Sequence, residues 1–473
     1  MRIASLEIKG ITSNSRDVRK GFVFVAIKGN CQDGSNFIKE ALANGASVVV
    51  MQKGKCKIRI PDRIKLLRVA DCRRFLAQAC AEFYGFPSNK LGVCGITGTN
   101  GKTTISYLIE AIAKQAGHNC GVIGTINYRF QDKIIEAKNT TPAPCQLQGL
   151  FAKMLARKVK YCAVEVSSHA LDQERVLGVN FRSAIFTNLT QDHLDYHKNF
   201  ENYFQAKAKL FRVLSASAVA IINNDDKYGR RIKQISQAKI MTYGIENKST
   251  VMAKDINLGA QATEFTLLGP KINNKIRTNL IGRHNIYNIL AAICWGITQG
   301  LNFRDIKSAI EKFKNVPGRL EKISCKKGYT VFVDYAHTPD ALFNVLNTLR
   351  PIVKGKIIVI FGCGGQRDRL KRPKMGRVAT SLADYAIITS DNPRSESPLR
   401  IIKDIEKGIS KSKNNYCLIP QRSAAICKGI SMLRKDYCLL VAGKGHENYQ
   451  VLKNKILHFN DREEIKKCLA SKR

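Results

Sequence analysis

Short apolar runs recur along this chain, separated by stretches whose apolar residues fall at helical spacing. Leu91-Gly92-Val93-Cys94 is one such run and reads as a strand. Over 105–112 the apolar residues instead return every three or four positions, the repeat of an amphipathic helix. Nearer the start, the pattern predicts a strand at 22–27, a short helix at 37–44 ended by Gly45, and a strand at 46–51. Runs at 162–166, 184–187 and 219–222 read as further strands with helical patterns between them. The last third alternates too, with strands predicted at 330–333, 357–361, 385–389 and 437–442.

Such alternation predicts an α/β fold. Two breaks punctuate it, Phe86-Pro87-Ser88-Asn89 and Pro317-Gly318-Arg319. They divide the chain into three expected domains, 1–87, 88–315 and 316–473, in keeping with a length of 473 residues at ~150 residues per domain. The central domain is expected to hold a mostly parallel sheet of P-loop ATPase type, and the C-terminal domain to be doubly wound.

Composition narrows the function class. With 44% hydrophobic residues the chain can bury sizeable cores. No apolar run approaches the ~20 residues that span a bilayer, and the start lacks the apolar centre of a signal peptide, so a cytoplasmic protein without a membrane partner is expected. The 15 cysteines include no Cys-x-x-Cys pair, which points away from zinc and redox motifs. A disulfide framework is not expected either, and most cysteines read as small buried hydrophobes. The net charge of +41 suits attraction to polyanions. It is spread along the whole chain without a basic block, which reads as solvated surface Lys and Arg rather than a specific nucleic-acid site. A monomer is expected.

The chemistry concentrates at Gly95-Ile96-Thr97-Gly98-Thr99-Asn100-Gly101-Lys102-Thr103-Thr104, placed between the 91–94 strand and the 105–112 helix. Glycines let backbone N–H groups turn toward a polyphosphate, the helix N-terminus favours negative charge, Lys102 neutralises it, and the Thr103 hydroxyl can ligate Mg²⁺. ATP or GTP is the predicted ligand. Glu165 ends an apolar strand, and its carboxylate can complete the Mg²⁺ coordination. A dense polar cluster, 187–197, follows another strand and makes His193 a candidate for a second metal or for phosphate. Lys207 would pass on physical grounds as a solvated helix lysine. In the last domain four strands each run into a polar or glycine-rich cluster: 334–337, 362–365, 391–394 and 443–447. Doubly wound sheets bind ligands at the carboxyl ends of their strands.

The Gly-x-Thr-Gly-Thr-x-Gly-Lys-Thr loop, Glu165-Val166-Ser167-Ser168-His169, Thr187-Asn188-Leu189-Thr190-Gln191-Asp192-His193, Gly282-Arg283-His284-Asn285, Pro317-Gly318-Arg319 and Asp334-Tyr335-Ala336-His337 together resemble the ordered motifs of the Mur ligases. The resemblance covers nearly the whole chain. It implies an ATP-dependent ligase of peptidoglycan synthesis that phosphorylates the D-glutamate side chain of UDP-N-acetylmuramoyl-L-alanyl-D-glutamate, so that an amine can attack the acyl phosphate. By resemblance, Gly98, Thr99, Asn100, Gly101, Lys102, Thr103 and Thr104 hold ATP with Asn285, Asn288, Arg319 and Asp334. Thr103 and Glu165 hold one Mg²⁺. His193 and Lys207, the latter carbamylated to N6-carboxylysine, serve a second. Lys102, Glu165, His193, Lys207 and Arg319 make up the catalytic set. The UDP substrate is expected against Ser13, Ser15, Asn139, Thr140, Thr141, Ser167, Gln173 and Arg175.

Asp391-Asn392-Pro393-Arg394 is similar to the signature of family members that add meso-diaminopimelate. Arg394 can grip the distal carboxylate that L-lysine lacks, with Arg367, Gly443 and Glu447 as further contacts. Two departures stand out: Gln366 where the family usually has Asp, and Asn14 where an Asp is typical. Competing readings are another amide-forming ligase of the same group and a basic, nucleotide-dependent nucleic-acid binder.

Overall fold

The computed structural model describes residues 2–3, 6–29, 32–54, 60–259, 262–325, 328–453 and 455–471. It contains two compact units. One comprises Met1–Leu189, Glu201–Tyr243 and Ala291–Ile306, and the other Thr190–Phe200, Gly244–Leu290 and Lys307–Arg473.

The first unit opens with a parallel four-stranded sheet in sequential order: β1 (Gly10–Thr12), β2 (Phe22–Val25), β3 (Ala46–Gln52) and β4 (Lys65–Val69). Alternate residues face opposite sides. Val23, Val25, Val48 and Val50 pack under the helix Cys72–Phe83, whereas Phe24 and Val49 meet the helix Ile38–Ala43. Gly45, at φ +96°, makes the reversal out of that second helix.

A larger sheet follows, built from β5 (Gly92–Thr97), β6 (Cys120–Ile123), β7 (Asn127–Phe130), β8 (Lys133–Glu136), β9 (Tyr161–Glu165), β10 (Phe181–Phe186), β11 (Val219–Asn223) and β12 (Lys239–Gly244). Its order is β8-β7-β6-β9-β5-β10-β11-β12. Only the β6–β7–β8 edge is antiparallel. β5 and β9 are buried along their whole length, as strands covered on both faces must be. Their continuous apolar runs are the reason these strands could be predicted.

The second unit holds an antiparallel trio, β13 (Val251–Leu258), β14 (Thr263–Gly269) and β15 (Ile272–Thr278). Its main sheet contains β16 (Glu321–Ile323), β17 (Thr330–Asp334), β18 (Ile357–Phe361), β19 (Tyr385–Ile388), β20 (Tyr416–Leu418) and β21 (Cys438–Ala442), in the order β16-β17-β21-β18-β19-β20. All pairs but β16–β17 are parallel. Phe332, Val359 and Leu440 face the helices Pro339–Leu349, Lys371–Leu382 and Pro398–Glu406. Val331, Val333, Ile358 and Leu439 face Arg422–Ser431 and Asp461–Ser471. Each such side chain, fully buried, contributes ~1.5–3 kcal/mol. A hairpin, β22 (Tyr449–Leu452) and β23 (Lys455–His458), follows the sheet.

The cysteine expectation needs one correction. Cys427 and Cys468 form a disulfide that joins the helix Arg422–Ser431 to the helix Asp461–Ser471, with Cα atoms 5.3 Å apart. Sequence spacing could not reveal it, because the two helices meet only through tertiary packing. Most other cysteines are buried thiols, as expected. Among the described residues, no helix is long and apolar enough to cross a membrane.

Candidate active site

In the first unit the loop after β5 turns at Gly98 (φ +146°) and Gly101 (φ +91°), and the helix Lys102–Gln115 begins at once. A Cβ on Gly98 would lie 1.8 Å from Thr187 Oγ1, so only glycine fits. The loop is tied to the end of β10. Thr99 N–H donates to Asn188 O (2.9 Å), Asn100 N–H to Asn188 Oδ1 (3.0 Å), and Thr187 Oγ1 to Asn100 O (2.6 Å). Lys102 Nζ donates to Gly98 O (2.7 Å) and Thr99 O (2.8 Å), folded over the loop. Thr104 is buried on the first helical turn.

Glu165, at the end of β9, is 1% exposed. Its Oε2 accepts from Thr103 Oγ1 (3.0 Å) and Thr125 Oγ1 (2.9 Å), and its Oε1 from Thr125 N–H (3.1 Å). A carboxylate beside a hydroxyl at the mouth of a phosphate loop is an all-oxygen donor set, and it fits Mg²⁺. Among the described residues no group of three or more His, Cys, Asp or Glu could hold a metal, so any ion here would rely on phosphate and water for its remaining ligands.

Lys207 is not solvated, contrary to its physical reading. It is 1% exposed on the helix Phe200–Arg212, where Nζ donates to Gly98 O (2.9 Å) and sits 4.4 Å from the Tyr203 ring centroid.

The residues expected to meet the UDP substrate form one hydrogen-bonded patch next to Glu165. Thr141 Oγ1 donates to Glu165 O (2.8 Å) and accepts from Ser167 N–H (3.0 Å). Thr140 Oγ1 lies 3.2 Å from Thr125 Oγ1, and Asn139 O accepts from Tyr128 OH (2.5 Å). Arg175 donates to Thr141 O (2.9 Å) and twice to Gln173 Oε1. Ser13 and Ser15 lie apart from these, after β1. Ser15 is buried and donates to Glu40 Oε2 (2.7 Å), while Asn14 caps the turn that follows by accepting from Arg16 N–H (3.3 Å).

His193 belongs to the second unit. It adopts φ +52°, is half exposed, and pairs with Asp192. Asn285 and Asn288 sit buried on the helix Arg283–Thr298, where Asn288 Nδ2 donates to Asn285 Oδ1 (3.0 Å). Asp334 ends β17. Burial raises its pKa, opposed by Arg319 and by the N–H groups of Leu320 (2.6 Å) and Ala336 (2.8 Å). Arg319 lies over the Tyr335 ring, and that ring also stacks on His446. Gly318 (φ +67°) is obligatory, since a Cβ there would lie 2.3 Å from His446 N.

The 391–394 segment is the most heavily braced part of this unit. Asn392 Nδ2 donates to Glu447 Oε2 (2.8 Å), and its Oδ1 accepts from Val451 N–H (3.0 Å). Gln450 donates to Asp391 O (2.6 Å), and Arg394 N–H to Val451 O (3.0 Å). The β22–β23 hairpin, which sequence reading missed, therefore fixes the motif. Arg394, at φ +54°, donates to Gly365 O (2.8 Å). A Cβ on Gly364 would lie 3.0 Å from Arg394 NH1 and 3.7 Å from Arg367 Cγ, so the Arg394 guanidinium and the stem of Arg367 border one glycine. A Cβ on Gly365 would lie 2.0 Å from Pro393 O. Gly443 (φ +114°) donates its N–H to Asp334 O (3.0 Å).

Where the family usually has Asp, Gln366 adopts φ +52° and gives its N–H to Glu396 Oε1 (2.5 Å). Glu396 also takes both guanidinium branches of Arg372, which is fully buried, each at 3.0 Å. Glu396 thus ties the backbone at 366 to the buried Arg372. Sequence reading also missed Thr125, which carries no periodicity or spacing signal, and gave no role to Lys444 within the 443–447 cluster it had singled out.

Comparison with known proteins agrees with this geometry. Family profiles match 7–84 (Mur ligase family, catalytic domain), 96–296 (Mur ligase middle domain) and 318–445 (Mur ligase, glutamate ligase domain). The chain is 44% identical over 465 residues to UDP-N-acetylmuramoyl-L-alanyl-D-glutamate–2,6-diaminopimelate ligase of Clostridium botulinum, covering 98% of this chain and 95% of the relative. It is 45% identical over 463 residues to the protein of the same name from Bacillus velezensis, covering 97% and 93%. A solved structure of a ligase of that name superposes with TM-score 0.71 at 31% identity, covering 99% of this chain and 98% of its own.

Proposed function

The chain belongs to the Mur ligase family, and from that premise we propose that it joins meso-diaminopimelate to the D-glutamate side chain of UDP-N-acetylmuramoyl-L-alanyl-D-glutamate, with ATP hydrolysed to ADP and phosphate. The observation that carries the reading is the braced 391–394 segment. Arg394 and Arg367 border Gly364, while Asn392 holds Glu447. The Arg394 guanidinium, with Arg367 on the neighbouring loop, and the Glu447 carboxylate would complement the distal carboxylate and ammonium of diaminopimelate. L-Lysine would leave the guanidinium groups unpaired, and sites built around polar partners reject analogues that lack them.

The chemistry proceeds in two balanced steps. The substrate carboxylate attacks the γ-phosphorus, the bond to the bridging oxygen breaks, and ADP leaves an acyl phosphate. The free amine then attacks the acyl carbon, phosphate leaves, and the amine loses a proton. Gly98 to Thr104, with Asn285, Asn288, Arg319 and Asp334, are assigned to ATP. Lys102 holds the terminal phosphates, and Arg319 neutralises the transferring group. Thr103 and Glu165 would hold Mg²⁺, which when bound supplies charge neutralisation. His193 and Lys207 are assigned to a second ion, with Lys207 as a carbamate. The Asn139–Arg175 patch, with Ser13 and Ser15, is assigned to the UDP substrate. Arg175 suits a carboxylate, being planar and bidentate.

The divisions at 87/88 and 315/316, a cytoplasmic location and a monomeric state complete the proposal. The charge of +41 is read as surface composition. The test is phosphate release from ATP with the UDP-dipeptide present, comparing meso-diaminopimelate with L-lysine. Turnover with diaminopimelate alone supports the reading. Turnover with lysine overturns the role of Arg394, and stimulation by nucleic acid instead of these substrates overturns the ligase reading.

A further inference from the structure

Lys444 follows the central strand β21 and is fully buried. Its ammonium group lies 3.3 Å from Asn392 Oδ1, 3.4 Å from Glu447 Oε2 and 3.6 Å from Asp391 Oδ1, against the Tyr449 ring at 5.6 Å. An ammonium is removed from water only where anions compensate it. Here two carboxylates face it, and both belong to the cluster assigned above to the amino-acid substrate.

Charge counting gives the cluster its meaning. Glu447 meets Asp391, Lys444, Asn392 and, at 3.4 Å, the Tyr335 hydroxyl. The other cations are engaged elsewhere: Arg422 chelates Asp461 with two bonds of 2.7 Å, Arg319 stands beside Asp334, and Arg394, assigned above with Arg367 to the distal carboxylate of the substrate, turns its guanidinium to Gly365 O (2.8 Å) rather than to Glu447. Asp391 and Glu447 against Lys444 therefore leave one net negative charge. The Asp391 Oδ1 atom is buried and makes no hydrogen bond, so its charge is balanced through space by Lys444.

We propose that Lys444 is a positioning residue for the amino-acid substrate: a built-in ammonium set between the Asp391 and Glu447 carboxylates that balances one of them and leaves the cluster one positive charge short, the charge that the distal ammonium of the incoming amino acid supplies. This rests on the ligase reading above and adds to it the group that sets the charge of the ammonium subsite. Burial and the neighbouring Asp391 already push the Glu447 pKa up, and Lys444 and Asn392 oppose them. Without Lys444, Glu447 would take a proton more readily. Asp391 then acts through Lys444 rather than by touching the substrate.

The test is the steady-state kinetics of Lys444→Met and of the double variant Asp391→Asn/Lys444→Met, followed from pH 6 to 9. Lys444→Met should raise the KM for diaminopimelate ~30-fold or more, as loss of one partner of a buried charge cluster does. Its kcat and its KM for ATP should stay within about threefold of wild type. The acid limb of kcat/KM for diaminopimelate should move to higher pH. The double variant restores a single negative charge and should move that limb back toward wild type, and it decides the matter if Lys444→Met does not fold. An unmoved limb in Lys444→Met, an equal loss in kcat, or a double variant no better than the single would overturn the proposal. Absence of wild-type turnover with diaminopimelate would instead remove the ligase reading, so the two failures are distinguishable.

Discussion

Gly124 directly follows β6 and belongs to none of the sequence motifs, yet it should be among the least replaceable residues of the first unit. A Cβ placed there would stand 2.1 Å from Glu165 Oε1, 2.8 Å from its Cδ and 3.1 Å from its Cγ. Gly124 is not among the residues with positive φ, so Gly124→Ala meets no backbone penalty and acts only through that contact. To reach an ordinary separation the carboxylate must retreat by roughly 1 Å, and a shift of that size near reacting groups costs on the order of 10²-fold in rate. That is about 2.7 kcal/mol of transition-state stabilisation. The three hydrogen bonds from Thr103 and Thr125 oppose the retreat. The added methyl should cost about 1–3 kcal/mol in folding, typical of overpacking. The assay is ADP release at saturating substrates alongside equilibrium binding of a fluorescent ATP analogue. The expected result is a kcat lowered about 100-fold with nucleotide binding retained. Gly269→Ala is the control, because its Cβ would find nothing closer than 3.7 Å. A folded Gly124→Ala protein with wild-type kcat would show that the position of Glu165 does not matter to turnover.

Other consequences follow from the second unit. Arg394→Lys should raise the diaminopimelate KM roughly 30-fold or more, because a point charge cannot replace the planar fork; unchanged discrimination against L-lysine would refute the assignment. Reduction of Cys427–Cys468, or Cys468→Ser, should lower the melting midpoint of this unit, since closing a loop across 41 residues is worth up to ~4 kcal/mol in the chain-entropy model. Calorimetry with and without dithiothreitol measures it. His446 is held at about 3 by burial first, then by Arg319, Arg462 and His337. Its folded-state pKa lies below the unfolded value, so its contribution is present above pH 6.5 and is lost as pH falls toward 3. Glu396, held at about 2 chiefly by Arg372, adds a second loss between pH 4.5 and 2. Urea midpoints should therefore fall from pH 7 to 4, and His446→Phe should flatten that slope.

What could be read in the sequence follows from burial. Strands covered on both faces, such as β5, β9, β18 and β21, consist of continuous apolar runs, and those were predicted with only their ends displaced. Strands with a solvated face were not. β15, with the sequence INNKIRT, and β23, exposed throughout, carry too few apolar positions to register. The motif residues were legible because glycine and charge at strand ends have few other uses. Lys207 had a signal that was passed over. Tyr203, Phe204, Ala208 and Phe211 form the apolar stripe of its helix and are all buried, and Lys207 falls inside that stripe. A lysine placed there is either misfitted or functional. Thr125, Arg372 and Glu396 had no comparable signal, since their partners are brought together only by the folded chain.

Ion pairs tie down several loops of the second unit, and that has a mechanical consequence. Arg422 takes Asp461 with two bonds and gives a third to Ala442 O, the residue before Gly443. Arg462, the next residue on the same helix, reaches Glu321, which accepts the Gly318 N–H (2.7 Å) beside Arg319. One helix N-terminus thus braces both the segment that carries Glu447 and the turn that carries Arg319. Arg372 and Glu396 do the same for the loops bearing Arg367 and Arg394. Hydrophobic contact is non-directional and would let these loops slide. A bidentate guanidinium–carboxylate pair fixes angle as well as distance. Breaking the Arg422–Asp461 pair, buried on both sides, leaves a charge uncompensated at a cost of about 3–5 kcal/mol, so that brace is all-or-none. The diaminopimelate site proposed above, which would hold a carboxylate and an ammonium at a fixed separation, calls for that rigidity, because a loop free to shift could close on the shorter zwitterion-lacking end of lysine.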